Sequence, residues 1–378
     1  MTILLIISIV LLSAYIALLL YYTLGWKQLG SFLRTLKTHP VSISLIIPAR
    51  NEAGHLPALL RSIERQSFPK ENIQVIVVDD FSTDDTAAIA AGFPFVTCLQ
   101  LKDFIPEGSI NSYKKKAIET GIAHSTGELI VTTDADCVAP PHWLQTIAAF
   151  YHTRRPELIV MPVSIHGGTK AIEIFQALDF MSLQGITAAA VQQKMLSMCN
   201  GANLAYTRKA FRAVNGFTGI DNIASGDDML LMHKIAGAYP NGIAYLKSKE
   251  VIMETAPVKS IGAFFNQRIR WASKADKYDD KKIFAVLLLV YLLNVLLLAL
   301  PLAAIILMQW SMLFYSLLLI AAKTIAELIF LSPVAAFFGK RSLLRWFPLA
   351  QPFHILYTVV AGWLGKFGSY QWKERRVK

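Results

Sequence analysis

Charged residues and cysteines are scarce in this chain. Only 17% of the 378 residues are charged, while 54% are hydrophobic, a balance too apolar for an ordinary soluble protein of this length. The three cysteines, Cys98, Cys137 and Cys199, lie far apart, so the sequence predicts neither a disulfide framework nor a zinc site. A reducing compartment is therefore the simpler expectation.

The sequence also lacks long basic runs and internal repeats. The formal net charge is +11, yet no segment interleaves a run of Lys and Arg with aromatic residues, as nucleic-acid-binding chains do. Nucleic acid is therefore not an expected partner. Basic residues that lie beside apolar segments instead suit the anionic surface of a lipid bilayer.

Residues 1–26 contain no charged side chain and are rich in Leu and Ile. This length suffices for a transmembrane helix. A cleaved signal peptide is the alternative, but the segment has no basic start and no small-residue cleavage pattern. We expect an uncleaved anchor and then a basic linker, 27–40, whose Lys27, Arg34 and Lys37 place the next domain in the cytoplasm by the positive-inside rule.

Residues 41–258 have the pattern of an α/β domain. Apolar segments rich in branched residues predict buried strands at Val41–Pro48, Gln74–Asp79 and Leu129–Val131. Helical spacing of apolar residues and helix-capping residues predict helices at Glu52–Gln66, Thr83–Ala91 and Lys114–His124. Strands that alternate with helices imply a Rossmann-like, mostly parallel sheet with right-handed crossovers.

Polar clusters follow the three predicted strands. PARNE (Pro48–Glu52) ends the first, Asp79, Asp80 and Ser82 end the second, and Asp134 follows the third. Because parallel strands bind ligands beyond their carboxyl ends, the three clusters are expected to line one crevice. Each cluster alone is more typical of turns and helix caps, and it is their joint appearance at the three strand ends that favours a crevice.

The stretch GELIVTTDADC (Gly127–Cys137) carries two acids, Asp134 and Asp136, at alternate positions. On an extended backbone such side chains point the same way and repel each other. A divalent cation removes this repulsion, and Mg²⁺ characteristically takes one or two carboxylates together with substrate phosphate oxygens. The stretch therefore predicts a metal–diphosphate site, with a solvated acidic loop as the alternative.

Together these residues resemble the family 2 glycosyltransferases of the GT-A fold. PARNE and VVDDFSTDDT match nucleotide-binding elements of that family, and DAD matches its D-x-D motif. The resemblance implies that the nucleotide-sugar donor meets Pro48, Glu52, Asp80 and Asp134, with Asp80 at the base and Asp134 at the ribose or diphosphate. It also implies that Asp136, with Asp134 beside it, binds Mg²⁺ or Mn²⁺.

The segment KKKAIETG matches a family lysine near the nucleotide. The resemblance favours Lys116 for this position, and Lys114 is the alternative. A solvated helix face explains these lysines equally well.

Gly226–Asp228 precedes an apolar stretch that starts a helix, where acids also suit the helix dipole. The family carries its catalytic base in such a pair of acids, usually the second, so Asp228 is the expected base and Asp227 its support. A carboxylate within reach can take the proton of an attacking hydroxyl, so no enzyme nucleophile is required and the anomeric centre is inverted. NGAN (Asn200–Asn203) resembles the family's acceptor-side loop, which implies an acceptor contact for Asn203; a simple turn is the alternative.

Residues 259–282 mix aromatic and basic side chains and predict an amphipathic helix at the membrane surface. Within them, QRIRW matches the Q-x-x-R-W motif of membrane-integrated members of the family. Gln267, Arg270 and Trp271 share one helix face and are expected at the acceptor or diphosphate. An interfacial belt of Trp and Arg is the alternative.

Residues 283–378 are predicted to form a transmembrane region with a basic tail. Its apolar candidates for membrane spans are Ile283–Met308, Ser311–Leu331 and, more weakly, the proline-interrupted Trp346–Leu364. Lys323 and Glu327 lie four residues apart and can neutralise each other on one helix face. Basic residues on both sides of the last segment favour the cytoplasm, so two or three C-terminal crossings both stay open.

These features predict a membrane-bound inverting glycosyltransferase that moves a single sugar from a nucleotide-sugar, expected to be UDP-linked, to a membrane lipid. The layout resembles ceramide glucosyltransferases, with the catalytic domain on the cytoplasmic side of a cell membrane, the bacterial inner membrane being expected. A processive polysaccharide synthase of the hyaluronan, chitin or cellulose type is the alternative, although three or four spans are few for a channel. A non-catalytic membrane scaffold is disfavoured by the complete set of acids.

Overall fold

The computed structural model describes residues 2–34, 40–166, 168–223, 225–273, 281–367, 370–372 and 375–377. Lys37 of the predicted linker, residues 274–280 of the predicted interfacial segment, and residues 368–369, 373–374 and 378 at the end of the chain lie outside the described residues. The chain divides into two compact units. The α/β unit comprises Leu29–His166 and Ala190–Ala256, and the helical unit comprises Met1–Gln28, Gly167–Ala189 and Pro257–Lys378.

The strands follow the chain from β1 to β12. They are β1 Ile43–Ala49, β2 Ile73–Asp79, β3 Val96–Gln100, β4 Leu129–Thr132, β5 Cys137–Val138, β6 Leu158–Val160, β7 Val163–Ile165, β8 Leu204–Thr207, β9 Ile243–Tyr245, β10 Met253–Thr255, β11 Tyr370–Trp372 and β12 Arg375–Val377.

The helices likewise follow the chain from α1 to α12. They are α1 Thr2–Gln28, α2 Leu56–Glu64, α3 Thr86–Ala91, α4 Tyr113–Ala123, α5 Trp143–Arg154, α6 Ala171–Gln192, α7 Arg208–Ala213, α8 Met229–Ala238, α9 Ile261–Ala272, α10 Lys281–Ile306, α11 Trp310–Phe337 and α12 Phe347–Phe367.

A seven-stranded sheet forms the centre of the α/β unit. Its order is β3-β2-β1-β4-β8-β6-β9; β8 runs antiparallel to both of its neighbours, and the other pairs are parallel. Leu45, Ile46 and Ile47 of β1 are fully buried, as expected for a strand covered on both faces. The mostly parallel sheet predicted from the sequence is confirmed.

The carboxyl ends of β2, β1 and β4 lie side by side. Ala49 at the end of β1 pairs with Asp79 at the end of β2, and Thr132 at the end of β4 pairs with Ile46. The residues that follow these strands therefore leave the sheet at one edge. The three predicted strand ends are thus adjacent, and the candidate site residues Asp80 and Asp134 follow from this edge.

Two predicted helices begin later in the chain than the sequence suggested. The helix predicted from Glu52 begins at Leu56, because the Glu52 carbonyl first accepts the N–H of His55 in a turn (3.0 Å). The helix predicted from Thr83 begins at Thr86. There the Asp84 side chain accepts the Thr86 N–H (3.0 Å) and holds the preceding residues in a turn.

Four described helices are long and apolar enough to cross a membrane, by length and composition. They are Ile3–Gln28, Ala171–Gln192, Lys281–Ile306 and Trp310–Phe337. The first, third and fourth were expected from the sequence. α12 is not among them, in keeping with its prediction as a weaker candidate.

α6 departs from the predicted division of the chain. Its residues 171–189 group with the helical unit, although the sequence placed them inside the domain 41–258. The mean hydropathy of α6 is 1.3, against 1.9 to 3.0 for the other three helices, because it carries polar residues. Three of these polar residues, Gln176, Asp179 and Gln184, are buried. The packing of the helix is therefore read from the partners of these side chains and not from its hydropathy.

Buried charges connect helices of the helical unit. Lys323 is fully buried and its Nζ lies 2.6 Å from Glu327 Oε1, which confirms the predicted pair. Tyr15 of α1 donates a hydrogen bond to Glu327, and Gln351 of α12 bonds both members of the pair. Each charge therefore has a partner away from water, as a low-dielectric environment requires.

The backbone of Gly127, in the turn before β4, lies close to the backbone of β1. A Cβ on Gly127 would lie 2.4 Å from the backbone nitrogen of Ser44, which a rigid strand cannot avoid. We expect Gly127→Ala to destabilise the α/β unit by about 2 kcal/mol or more, seen as a lower melting temperature. Gly54→Ala is the matched control, because a Cβ there meets nothing within 4 Å; equal melting temperatures for the two variants would contradict the close packing.

Candidate active site

A lysine and two acids from distant parts of the chain meet beyond β4. Lys114 Nζ, from α4, lies 2.6 Å from Asp134 Oδ1 and 3.2 Å from Asp227 Oδ2, just before α8. Opposite charges at this separation attract strongly where water is partly excluded. The ion pairs therefore join α4, the segment after β4 and the start of α8 at one point.

The electrostatic surroundings keep Lys114 charged. Burial by itself lowers the pKa of Lys114, but the charges of Asp134 and Asp227, together with that of Asp228, raise this pKa well above its ordinary value. Lys114 is therefore an ammonium ion throughout the physiological pH range. The site thus contains a built-in positive charge among three carboxylates.

Asp228 is held by backbone N–H groups on both of its oxygens. Its Oδ1 accepts the N–H of Met229 (2.7 Å), as an N-cap residue of α8 does, and its Oδ2 accepts the N–H of Gly201 (3.1 Å). The side chain is half-buried. Its orientation is therefore determined on both sides, which suits a group that must meet a substrate in one geometry.

Gly201 of the NGAN loop lies against the acid pair. A Cβ at this position would lie 2.9 Å from Asp227 Oδ2 and 3.5 Å from Asp228 Cβ, so glycine permits the close approach. The Gly201 carbonyl also accepts a hydrogen bond from Thr132 at the end of β4 (3.3 Å). The NGAN loop therefore connects the end of β4 to the acids before α8.

Asn203, expected at the acceptor, is fully buried. Its Oδ1 accepts the indole N–H of Trp143 (2.9 Å), and its Nδ2 donates to the carbonyls of Pro162 and Val251 (both 2.7 Å). Its amide group is engaged within the protein and holds the loop in place. The predicted acceptor contact of Asn203 has no support in this geometry.

Lys114 and Lys116 differ in their partners: Lys114 meets Asp134 and Asp227, whereas Lys116 does not. Lys116 Nζ pairs with Glu119 one helical turn away (2.8 Å), and both side chains are partly exposed. Lys116 therefore lies on a solvated helix face, which was the alternative explanation for these lysines. Between them, Lys115 is buried and donates to the carbonyls of Ile220 and Ile223 (both 2.6 Å), because consecutive helical residues point about 100° apart.

The ends of β1 and β2 are joined through unusual backbone conformations. Asn51 and Phe81 both have a φ of 52°, which is strained for a bulky residue such as Phe81. Arg50 stands in PARNE without a predicted role, but it donates to the carbonyls of Asp80 (2.8 Å) and Phe81 (2.9 Å). This buried guanidinium holds PARNE against VVDDFSTDDT.

The residues predicted at the nucleotide lie at this junction. Asp80 is buried and its N–H donates to the carbonyl of Ala49 (2.7 Å). Glu52 is also buried, and its carboxylate bonds the ring of His55 (2.9 Å). Pro48 lies in β1. The structure thus brings these predicted residues to one edge of the sheet, and their contact with a nucleotide stays a prediction.

The donor set at the D-x-D stretch fits a hard divalent cation that a ligand helps to bind. Asp134 and Asp136 are half-buried, and among the described residues no group of three or more His, Cys, Asp or Glu could hold a metal ion. Burial, and then the charges of Asp136 and Asp134, raise the pKa of the Cys137 thiol well above its ordinary value, so its sulfur is no thiolate ligand. Carboxylates supplemented by phosphate oxygens suit Mg²⁺ or Mn²⁺.

QRIRW lies on α9 of the helical unit, where Gln267, Arg270 and Trp271 are half-buried. Arg268, which the motif leaves unspecified, is the buried arginine. It pairs with Asp179 of α6 at 2.6 Å, and its guanidinium lies 4.2 Å from the centre of the Trp271 ring. Helical spacing from Phe264 through Arg268 to Trp271 was a signal that could have identified this buried face.

The Asn203 hydrogen bonds generate a test of its role. We expect Asn203→Ala to lower the melting temperature, because the Trp143 N–H and two carbonyls lose a buried partner, at a cost of about 3 kcal/mol. Asn200→Ala is the control within the same loop, since it removes a single bond to the Ala202 N–H. If Asn203→Ala leaves the melting temperature unchanged and raises only the KM for an acceptor, Asn203 contacts the acceptor instead.

The fold and parts of the sequence are similar to known glycosyltransferases. Residues 44–214 match the family model described as Glycosyl transferase family 2. The mannosyltransferase PcManGT from Pyrobaculum calidifontis, solved in complex with GDP-Man and Mn²⁺, has a TM-score of 0.58 at 20% identity, over 95% of this chain and 99% of that one. At this identity the likeness shows the fold alone.

Two curated proteins match over shorter stretches. Glycosyltransferase AglE of Haloferax volcanii is 34% identical over 103 residues, which are 27% of this chain and 33% of AglE. The 4,4'-diaponeurosporenoate glycosyltransferase of Staphylococcus haemolyticus is 29% identical over 169 residues, 44% of this chain and 42% of that protein. The chain thus spans less than half the length of either relative. The mostly parallel sheet and the likeness to PcManGT show that this chain has an α/β fold of the GT-A type, and residues 44–214 within it are similar to the glycosyl transferase family 2.

Proposed function

We propose that this protein is a membrane-bound, inverting glycosyltransferase that moves one sugar from a nucleotide-sugar to a membrane lipid. In this proposal the donor is UDP-linked and the reaction uses Mg²⁺ or Mn²⁺. One observation carries the proposal: Asp134, Asp227 and Asp228 meet around Lys114 beyond the carboxyl ends of parallel strands. This edge is where open α/β sheets bind their ligands.

The donor is bound at the ends of β1, β2 and β4 in this proposal. Asp80 contacts the base, Pro48 and Glu52 line the nucleotide pocket, and Asp134 and Asp136 face the diphosphate. When bound, a divalent cation supplies positive charge to the diphosphate oxygens as the sugar departs. The Pyrobaculum calidifontis enzyme of the same fold was solved with GDP-Man and Mn²⁺, which supports a nucleotide-sugar and a divalent cation.

Asp228 is the general base in this proposal. Each of its oxygens accepts one backbone N–H, and a carboxylate has about four acceptor positions, so positions are left for a hydroxyl proton. Asp228 takes this proton while the acceptor oxygen bonds to the anomeric carbon. The bond from that carbon to the diphosphate breaks with its electron pair on the diphosphate, and the configuration inverts. Asp227 supports the base through its ion pair with Lys114.

A lipid acceptor is supported by the apolar helices of the helical unit. Such helices would hold the enzyme where membrane lipids present their headgroups. In this proposal Gln267, Arg270 and Trp271 of α9 contact the acceptor or the diphosphate, since Arg can bond phosphate oxygens in pairs and Trp offers a flat face to a sugar. One curated relative is named a 4,4'-diaponeurosporenoate glycosyltransferase, a name that points to a single defined acceptor.

The role of Asp228 can be tested by Asp228→Asn. We expect kcat for sugar transfer to fall about 10²- to 10⁴-fold, because the amide cannot take the proton, while the KM for the donor changes little. The measurement is the initial rate with labelled UDP- and GDP-sugars and extracted membrane lipids. Asp103→Asn, at an exposed position, is the matched control and should retain the wild-type rate.

The products of the same assay separate the candidate functions. A lipid that carries one sugar agrees with the proposal, whereas a long polymer would establish the processive synthase in its place. Transfer that is unchanged in Asp228→Asn would remove this residue from the chemistry.

Metal dependence is tested by chelation. Removal of divalent cations with EDTA should abolish transfer, and Mg²⁺ or Mn²⁺ should restore it, because the leaving diphosphate needs charge compensation. Asp136→Asn should need a much higher Mn²⁺ concentration for half-maximal rate. Full activity in EDTA would show that charges of the protein alone compensate the leaving diphosphate.

A further inference from the structure

Lys114 supplies a positive charge to the acids that a bound cation would otherwise supply. Its Nζ bridges Asp134 Oδ1 at 2.6 Å and Asp227 Oδ2 at 3.2 Å. A Cβ on Gly201 would lie 3.4 Å from the same Nζ, so the backbone of the NGAN loop borders the ion pairs directly. The ammonium therefore lies between the D-x-D stretch and the acids before α8.

No neighbouring lysine of α4 shares this position. Lys115 donates to the carbonyls of Ile220 and Ile223, and Lys116 pairs with Glu119. The compensation of Asp134 and Asp227 by α4 therefore comes from one side chain, whose substitution alters a single charge at the site.

We propose that Lys114 is the internal counter-ion of the donor site: it compensates Asp134 and Asp227 when no donor is bound, and it competes with a divalent cation for Asp134. This inference rests on the proposed function, because it assigns the metal and the donor diphosphate to the same edge of the sheet. Lys114 is a positioning residue in this scheme, since it acts through the two carboxylates.

The competition follows from the charges. A divalent cation that binds Asp134 comes within a few ångströms of an ammonium already bonded to that carboxylate, and like charges at this distance repel. Lys114 must then leave Asp134, and in the absence of a ligand it loses an ion pair. A nucleoside diphosphate provides new acceptor oxygens for the displaced ammonium. The metal and the nucleoside diphosphate are therefore expected to strengthen each other's binding, each by the same factor.

The test is the affinity of the full-length protein for Mn²⁺ alone, measured from the electron paramagnetic resonance signal of free Mn²⁺ in detergent solution. Lys114→Gln removes the competing charge, so we expect it to bind Mn²⁺ about tenfold more tightly than the wild type. Lys116→Gln is the matched control, with the same substitution on the same helix, and should leave the affinity unchanged. Lys114→Arg retains the charge and should resemble the wild type.

A second titration measures the coupling to the donor diphosphate. Addition of UDP, with GDP in a parallel arm, should tighten Mn²⁺ binding by the wild type about tenfold or more, and this gain should shrink in Lys114→Gln. Unchanged or weaker Mn²⁺ affinity in Lys114→Gln overturns the inference, as does the absence of Mn²⁺ binding by both proteins. Melting temperatures show that each variant is folded, and Lys114→Met, which also removes the charge, takes the place of Lys114→Gln if the latter is not folded.

Failure of this inference is distinguishable from failure of the proposed function. If the wild type transfers sugar and Lys114→Gln does not gain Mn²⁺ affinity, the function stands and the counter-ion role falls. If Lys114→Gln gains affinity but no lipid is glycosylated by the wild type, the counter-ion role stands and the proposed activity falls.

Discussion

Compensation of negative charge at one edge of the sheet is the constraint on which the site depends. Three carboxylates meet there, and like charges in a partly buried place destabilise a fold unless they are paired. Lys114 compensates two of them, and backbone N–H groups of Gly201 and Met229 compensate the third. The acids can therefore be preassembled before any ligand arrives.

The strand order is what brings these groups together. β2, β1 and β4 are adjacent and parallel, so their carboxyl ends lie at a single edge even though 49 residues lie between β2 and β4 in the chain. The NGAN loop then adds the acids before α8 to this edge, because Gly201 has no side chain to separate them. Parallel strands connected by crossovers thus convert distant acids into one cluster.

The helical unit uses the same physical solution for a different purpose. Lys323 and Glu327 pair within α11, and Arg268 of α9 pairs with Asp179 of α6, all of them away from solvent. A buried charge that lost its partner would destabilise the protein strongly. The Arg268–Asp179 pair joins α9 to α6 and orients the helix that carries QRIRW. The pair within α11 reaches other helices through Tyr15 of α1 and Gln351 of α12.

The sequence by itself determined the alternating strands and helices, the mostly parallel sheet, three of the four long apolar helices and the Lys323–Glu327 pair, because apolar periodicity and i, i+4 spacing are local properties. It also singled out Asp134, Asp227 and Asp228 as candidate site residues, whose roles stay predictions. Only the tertiary structure showed that Lys114, and not Lys115 or Lys116, meets these acids, since three consecutive lysines are equivalent in sequence and differ only in what each meets around the helix. The tertiary structure likewise placed Asn203 in the interior, paired Arg268 with Asp179 and grouped α6 with the helical unit. Each of these outcomes depends on partners far away in the chain, which no local pattern contains.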